Sequence, residues 1–397
     1  MTPVIANQGD LYVAPGGPTY RILTRLTKAP DVGFSVRRRI IFLLLITWVP
    51  MCVLALLQGN ALGATPRDSF LLDFATYARF FIGIPVLVIA EDLIGGRLRT
   101  AGLQFVEDGL VRPDDYPAFE QAIARLARRR ESVLVTLVIV ALAAVGAWKL
   151  TYESASGVGV VGWGSVVLPE GHAYRYSLAG LWSHVVALPV LLFLWYRWLW
   201  RIVIWTLFLH DVSRLRLRLV PTHADAAGGL GFLEIAHQSF GIMAFAIGCV
   251  FSAEAAFRIV YEGTHINVFQ NGTLIVLVLM QVIFLGPLLV FMPIMARTRR
   301  AALKSYGSLV VRYNSGFDDK WVENRGPKDE PLLGSADIQS LADLGNSFRF
   351  VKDMGFIPFG RGAVIQLAFF TLLPGVPLLL LAVPLSEILD TLAKVAL

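Results

Sequence analysis

The feature that most constrains this chain is a set of seven apolar stretches separated by loops whose basic content alternates sharply. A helix crossing hydrocarbon needs about 20 mostly apolar residues. Residues 40–57, 74–94, 133–148, 178–196, 240–260, 273–296 and 363–384 read as such spans. The third is the shortest, and Lys149 at its end is placed to snorkel toward headgroups. With 56% apolar and only 16% charged residues, against about a quarter charged in soluble domains, a water-soluble enzyme is excluded. Disorder is excluded by the same apolar content, a collagen-like chain by the lack of periodic glycine, and a disulfide framework by the presence of only Cys52 and Cys249. Both cysteines fall within spans and read as packing residues.

Lys and Arg accumulate on the cytoplasmic side of a membrane. Six lie in the N-terminal segment 1–39, seven in the loop 97–130, five between Arg197 and Arg218 and eleven between Arg297 and Arg361. The opposite loops hold five: Arg67, Lys149, Arg175, Arg258 and Lys394. The expectation is an all-α integral membrane protein of seven transmembrane helices, with its N-terminus cytoplasmic and its C-terminus outside. Its parts are a cytoplasmic segment 1–39, a six-span region 40–296, a cytoplasmic loop 297–362 carrying an amphipathic helix, and a seventh span with its tail, 363–397. The net charge of +6 then records orientation toward anionic headgroups of the bilayer, not nucleic-acid binding. Arg37-Arg38-Arg39 before an apolar run ending in Ala61-Leu62-Gly63-Ala64 resembles a signal peptide. Its n-region and apolar run are both too long, so the run reads as an uncleaved anchor.

The loops contain elements of their own. Asp114-Asp115-Tyr116-Pro117 is a helix start, with Phe119, Ile123 and Leu126 on one face and Arg128-Arg129-Arg130 at the end. Ser335 is an N-cap for a helix whose Ile338, Leu341, Leu344, Phe348 and Val351 recur at helical spacing. Residues 214–219 alternate Arg and Leu as a strand would, and residues 157–167 suggest a small hairpin.

Two segments are distinctive: Pro221-Thr222-His223-Ala224-Asp225-Ala226-Ala227-Gly228-Gly229-Leu230-Gly231-Phe232-Leu233, and Leu332-Leu333-Gly334-Ser335-Ala336-Asp337-Ile338-Gln339-Ser340-Leu341-Ala342-Asp343-Leu344. With the Arg197–Arg201 stretch, they resemble an uncharacterised family of bacterial multi-spanning inner-membrane proteins. The resemblance implies a bacterial cytoplasmic membrane and supplies no substrate, cofactor or catalytic residue.

Chemistry has three candidate locations. The first is the cytoplasmic stretch holding His210, Asp211, His223, Asp225, Glu234 and His237. His and carboxylate ligate zinc, iron or manganese, and Glu234 and His237 share a helix face, so His223, Asp225, Glu234 and His237 form a candidate metal set. An ExxH pair is half of a di-metal site and the second pair is absent; there is no HExxH. The competing reading has His223 and Asp225 ordering a turn. Gly228-Gly229-Leu230-Gly231 lacks the P-loop and dinucleotide spacings, and reads as a sharp bend.

The second location is a polar layer. At 1.5 Å per residue, Arg79 lies about 6 Å inside the outer end of its span, His184 about 9 Å, Glu254 about 10 Å and Gln281 about 12 Å. Ionisable groups at such depth must face protein or a water-filled cavity, which makes these four candidates for a transport path. The competing reading pairs Glu254 with Arg258 at i and i+4. Pro50, Pro85, Pro189, Pro287, Pro293, Pro374 and Pro377 interrupt five spans, and broken helices line midplane sites in transporters. The third location is the helix end where Arg197 and Arg201 stand among Trp195, Tyr196, Trp198, Trp200 and Trp205. Arg197, Arg201, Trp198 and Trp200 read as lipid-headgroup contacts of an interfacial belt, with residues 202–209 as an interfacial or protruding tail.

Three functions follow as expectations: a channel or transporter for an ion or small polar solute, working as a homo-oligomer; a membrane-bound metal-dependent enzyme; or a non-catalytic scaffold or sensor acting through the loop helices. The polar layer and the kinked spans favour the first, with Glu254 and His184 lining the path; an enzyme is the less expected reading, no catalytic residue is named, and the cofactor stays open.

Overall fold

The computed structural model describes Leu11, Val13 and residues 32–156, 162–167, 174–323, 325–326, 331 and 335–382. Residues 157–161 of the expected hairpin, 332–334 of the second distinctive segment, the end of the seventh stretch from 383, and Arg21, Arg25, Lys28, Lys328 and Lys394 lie outside the described residues.

The helices are α1 (Val32–Leu57), α2 (74–107), α3 (Tyr116–Arg130), α4 (Val133–Ser156), α5 (Leu178–Ser213), α6 (Gly231–Glu262), α7 (Ile266–Val322), α8 (Ala336–Asp353) and α9 (Arg361–Leu379). Five of them, α1, α5, α6, α7 and α9, are long and apolar enough to cross a membrane. A sixth span arises if α3 and α4, bent by 45° at their junction, count as one. Leu134, Leu137 and Val145 on α4, and Leu274, Ile275 and Val282 on α7, are exposed, the apolar outer surface that a bilayer would cover.

The expected second span, 74–94, is helical throughout but does not belong to that set. It forms the first half of α2, which touches α1, α5 and α6. Of the 24 residues Ile84–Glu107, 13 are buried, so this helix serves as the interior of the bundle. Burial against protein is also what allows it to carry Arg79, Glu91 and Asp92.

Proline accounts for four of the places where the long helices deviate from regular geometry, though not for the π turn Asp318–Val322 that ends α7. A proline removes one N–H and its ring crowds the carbonyl four residues earlier. The residues four before Pro85, Pro189, Pro293 and Pro377 are Phe81, Val185, Leu289 and Leu373. Each falls inside an irregular segment: the π turns Ala78–Gly83 and Ser183–Ala187, and the 3-10 turns Gly286–Phe291 and Leu373–Gly375. Pro50 is accommodated within continuous α1.

The loop elements follow their local signals in part. α3 starts just after Asp114-Asp115 and buries Phe119, Ala122, Ile123 and Leu126. Arg125 Nε lies 2.9 Å from Asp211 Oδ2, tying α3 to α5. α8 begins at Ser335, whose hydroxyl accepts the N–H of Asp337, and packs along the later part of α7. Residues 214–219 are not a strand: the Arg–Leu alternation survives as alternating burial, with Leu217 and Leu219 buried, but the segment has no ladder partner among the described residues. The Arg218 N–H donates instead to the Leu110 carbonyl. The hairpin differs from the expected 157–167: of that stretch only Ser165–Val167 is a described strand, and its antiparallel partner is Tyr174–Tyr176, with Ser165 opposite Tyr176. α6 and α9 approach so closely at Gly248 that a Cβ there would stand 2.2 Å from the Thr371 carbonyl oxygen.

Candidate functional site

The two π turns of α2 and α5 lie at the end of the bundle where those helices begin and α6 ends, and each carries a polar residue of the expected layer. Arg79 is in the first and His184 in the second; π turns inside longer helices occur often at functional sites. Arg79 Nη2 reaches across to Glu254 Oε2 of α6 at 2.6 Å, and Arg258, one turn on, places Nε 3.1 Å from Glu254 Oε1. The cross-helix pair and the local i, i+4 pair therefore coexist on one carboxylate. His184 packs edge-on to Tyr176 with ring centroids 5.1 Å apart, and its Nδ1 has no hydrogen-bond partner among the described residues.

These groups line one cavity of about 270 Å³, together with Arg67, Asp73, Trp163, Ser165 and Phe257. The hairpin region forms its roof. The Trp163 indole N–H donates to Asp73 Oδ2 at 2.9 Å, and Phe70 meets the Trp163 ring edge-on. Asp73 also caps the start of α2 by accepting the Thr76 N–H and hydroxyl. Thus three of the four expected path residues, Arg79, His184 and Glu254, meet in one cavity. Gln281 does not: its side-chain amide donates to the Val364 carbonyl and joins α7 to α9.

A second charged cluster sits further along the same two helices, and the belt residues belong to it. Arg201 (4% exposed) and Trp198 (1%) face the interior, not headgroups. Glu91 Oε1 accepts Arg197 Nη2 at 2.6 Å and Arg201 Nη1 at 3.0 Å, and Glu91 Oε2 accepts from Arg39 Nη1. Arg39 Nη2 stands 3.7 Å from Asp92 Oδ2, and the Arg201 guanidinium lies over the Trp198 ring at 4.9 Å. The Trp198 indole N–H donates to the Leu87 carbonyl. Trp200 packs partly buried against the core. The expected interfacial tail is likewise interior, since Trp205, Phe208 and Leu209 are fully buried. A charge in that layer is tolerable only when paired, and the pairing draws the arginines inward. Glu91 was the overlooked residue; the signal for it was a carboxylate within an apolar stretch, with two arginines spaced i, i+4 on another span.

The expected metal set is dispersed. Both ring nitrogens of His237 are occupied: Nε2 accepts the Trp205 indole N–H at 2.9 Å and Nδ1 bonds the Phe284 carbonyl at 2.6 Å. Glu234 accepts the Gly360 N–H ahead of α9. His223 Nδ1 lies 2.8 Å from Asp225 Oδ1. Among the described residues, no three His, Cys, Asp or Glu side chains converge on a metal position. The glycine turn does bind an anion, but the anion is its own: the Asp225 carboxylate accepts the N–H groups of Ala227, Gly229 and Gly231. Positive φ at Ala226 (52°), Gly228 (69°) and Gly229 (96°) aims those groups inward. Burial would raise the Asp225 carboxyl, but these N–H donors together with His223 hold it below the usual carboxylate value.

Comparison with known protein families, with curated proteins and with solved structures gives no match for this chain.

Proposed function

We propose that this chain is a multi-pass protein of the bacterial inner membrane that passes an ion or small polar solute, entering through the cavity between α2, α5 and α6. The observation that carries the reading is the meeting of Arg79, His184 and Glu254 around one cavity, in a bundle with five helices long and apolar enough to span a bilayer. Ionisable groups within spans mark solute paths by default. The sorting of basic residues supports a cytoplasmic N-terminus, an external C-terminus and a cavity that opens outward. Counting α2 and the bent α3–α4 pair among the spans gives seven. Both polar π turns precede prolines, so α2 and α5 have weak points at which they can bend to extend the cavity inward.

The test is flux. Purified protein in liposomes should release a trapped ion or small solute, and Glu254→Gln should change the rate at least about tenfold, as expected when a charge lining a path is removed. Liposomes as tight as protein-free controls to common cations, anions and small polar solutes would sink the reading.

A further inference from the structure

The cavity offers many donors but few free acceptors, and that imbalance points to the charge of its solute. We propose that it binds a small oxyanion, a carboxylate or a phosphate, on the unused N–H groups of Arg79 and Arg258. The identity of the solute rests on the transport reading; the binding itself does not.

Charges around the cavity are balanced, with Arg67, Arg79 and Arg258 against Asp73, Glu254 and the adjoining Glu262. Net charge therefore selects nothing, and hydrogen-bonding capacity decides. The acceptors are engaged. Asp73 accepts from Thr76 and Trp163. Glu254 receives Arg79 on one oxygen and Arg258 on the other. Glu262 pairs with Arg67 at 3.3 Å. The donors are not exhausted. A guanidinium has five N–H groups, and among the described residues Arg79 and Arg258 each give one to Glu254. Both side chains remain accessible, at 35% and 50%, so their remaining N–H groups reach the cavity. His184 adds a ring nitrogen without a hydrogen-bond partner among the described residues.

A cation entering here would have to share Glu254 with two guanidiniums whose positive charge repels it. An oxyanion breaks no existing bond, and the fork of N–H groups on a guanidinium matches its oxygens. Glu254 then acts as a resident competitor, a negative charge holding both arginines until the solute arrives. This gives a sign that separates the two classes of solute. For a cation, Glu254 is the ligand and its neutralisation abolishes binding. For an oxyanion, the same change strengthens binding.

The experiment is equilibrium binding of radiolabelled acetate, inorganic phosphate and rubidium to the full chain in lipid nanodiscs, with flux measured separately. The parent protein should bind acetate or phosphate. Glu254→Gln should tighten that binding at least about fivefold, the effect of removing a unit charge about 4 Å away even at the dielectric of water. Arg79→Gln should weaken it about 10- to 100-fold, the range for a lost charged hydrogen bond. Arg258→Gln, on the exposed rim, repeats the test where folding is not at stake. Rubidium binding abolished by Glu254→Gln, anion binding indifferent to both arginines, or no anion binding by parent and Glu254→Gln alike would each overturn the proposal. Rubidium flux without anion binding would leave the transport reading standing, and arginine-dependent anion binding without any flux would remove only that reading.

Discussion

Replacing Glu91 with Gln tests whether the interior charged cluster holds the bundle together. Its carboxylate receives Arg39, Arg197 and Arg201, from α1 and α5, so one side chain links three helices. Glu91 is 3% exposed and Arg39 and Arg201 are 1% and 4%, so solvent cannot take over the pairing. Gln keeps the volume and removes the charge, so each of three guanidiniums loses the carboxylate it bonds, while Asp92 stays 3.7 Å from Arg39. Removing one partner of a buried pair costs about 3–5 kcal/mol because the other charge stays buried. With three guanidiniums affected, the expectation is at least the middle of that range, about 4 kcal/mol, a roughly thousandfold fall in the folded-to-unfolded ratio. Equilibrium unfolding in mixed micelles, followed by tryptophan fluorescence, reads this directly. Adding Arg201→Met to Glu91→Gln should recover part of the loss, because it removes one of the buried charges that Glu91 had offset. Stability within about 1 kcal/mol of the parent for Glu91→Gln alone would refute the reasoning, since surface pairs cost no more than that.

Two further outcomes are expected. Gly248→Ala would place a methyl 2.2 Å from the Thr371 carbonyl and force α6 and α9 apart, at a cost of about 1–3 kcal/mol; an unchanged unfolding midpoint would show that the two helices do not pack so closely. Because the folded Asp225 carboxyl lies below its ordinary value, its contribution is fully present above the unfolded value, about 3.9, and is lost as pH falls through the folded value. Hydrogen exchange of the Ala227, Gly229 and Gly231 amides should therefore rise as pH drops below about 4 relative to the intrinsic rate. In Asp225→Asn that acid-linked rise should be missing, and its persistence would mean the carboxylate does not organise the turn.

What the sequence determined by itself is what depends on near neighbours along the chain. Hydropathy over about 20 residues marked the long helices, Asp114 to Pro117 and Ser335 marked two helix starts, and prolines marked four irregular segments by their clash four residues back. Depth arithmetic brought Arg79, His184 and Glu254 to one level, because rise per residue in a helix is fixed. Only the tertiary structure decided rotation about each helix axis, since depth says nothing about which way a side chain faces. Rotation took Gln281 out of the layer, turned Arg197, Arg201 and Trp198 from the expected headgroup belt toward Glu91, and buried His237 between Trp205 and the Phe284 carbonyl. It also made α2 an interior helix, where paired charges replace lipid-facing apolar groups. The alternation of Arg214 to Leu219 shows the same division: the pattern fixed which side chains are covered, and the tertiary structure set no strand beside the segment among the described residues, so it forms no sheet.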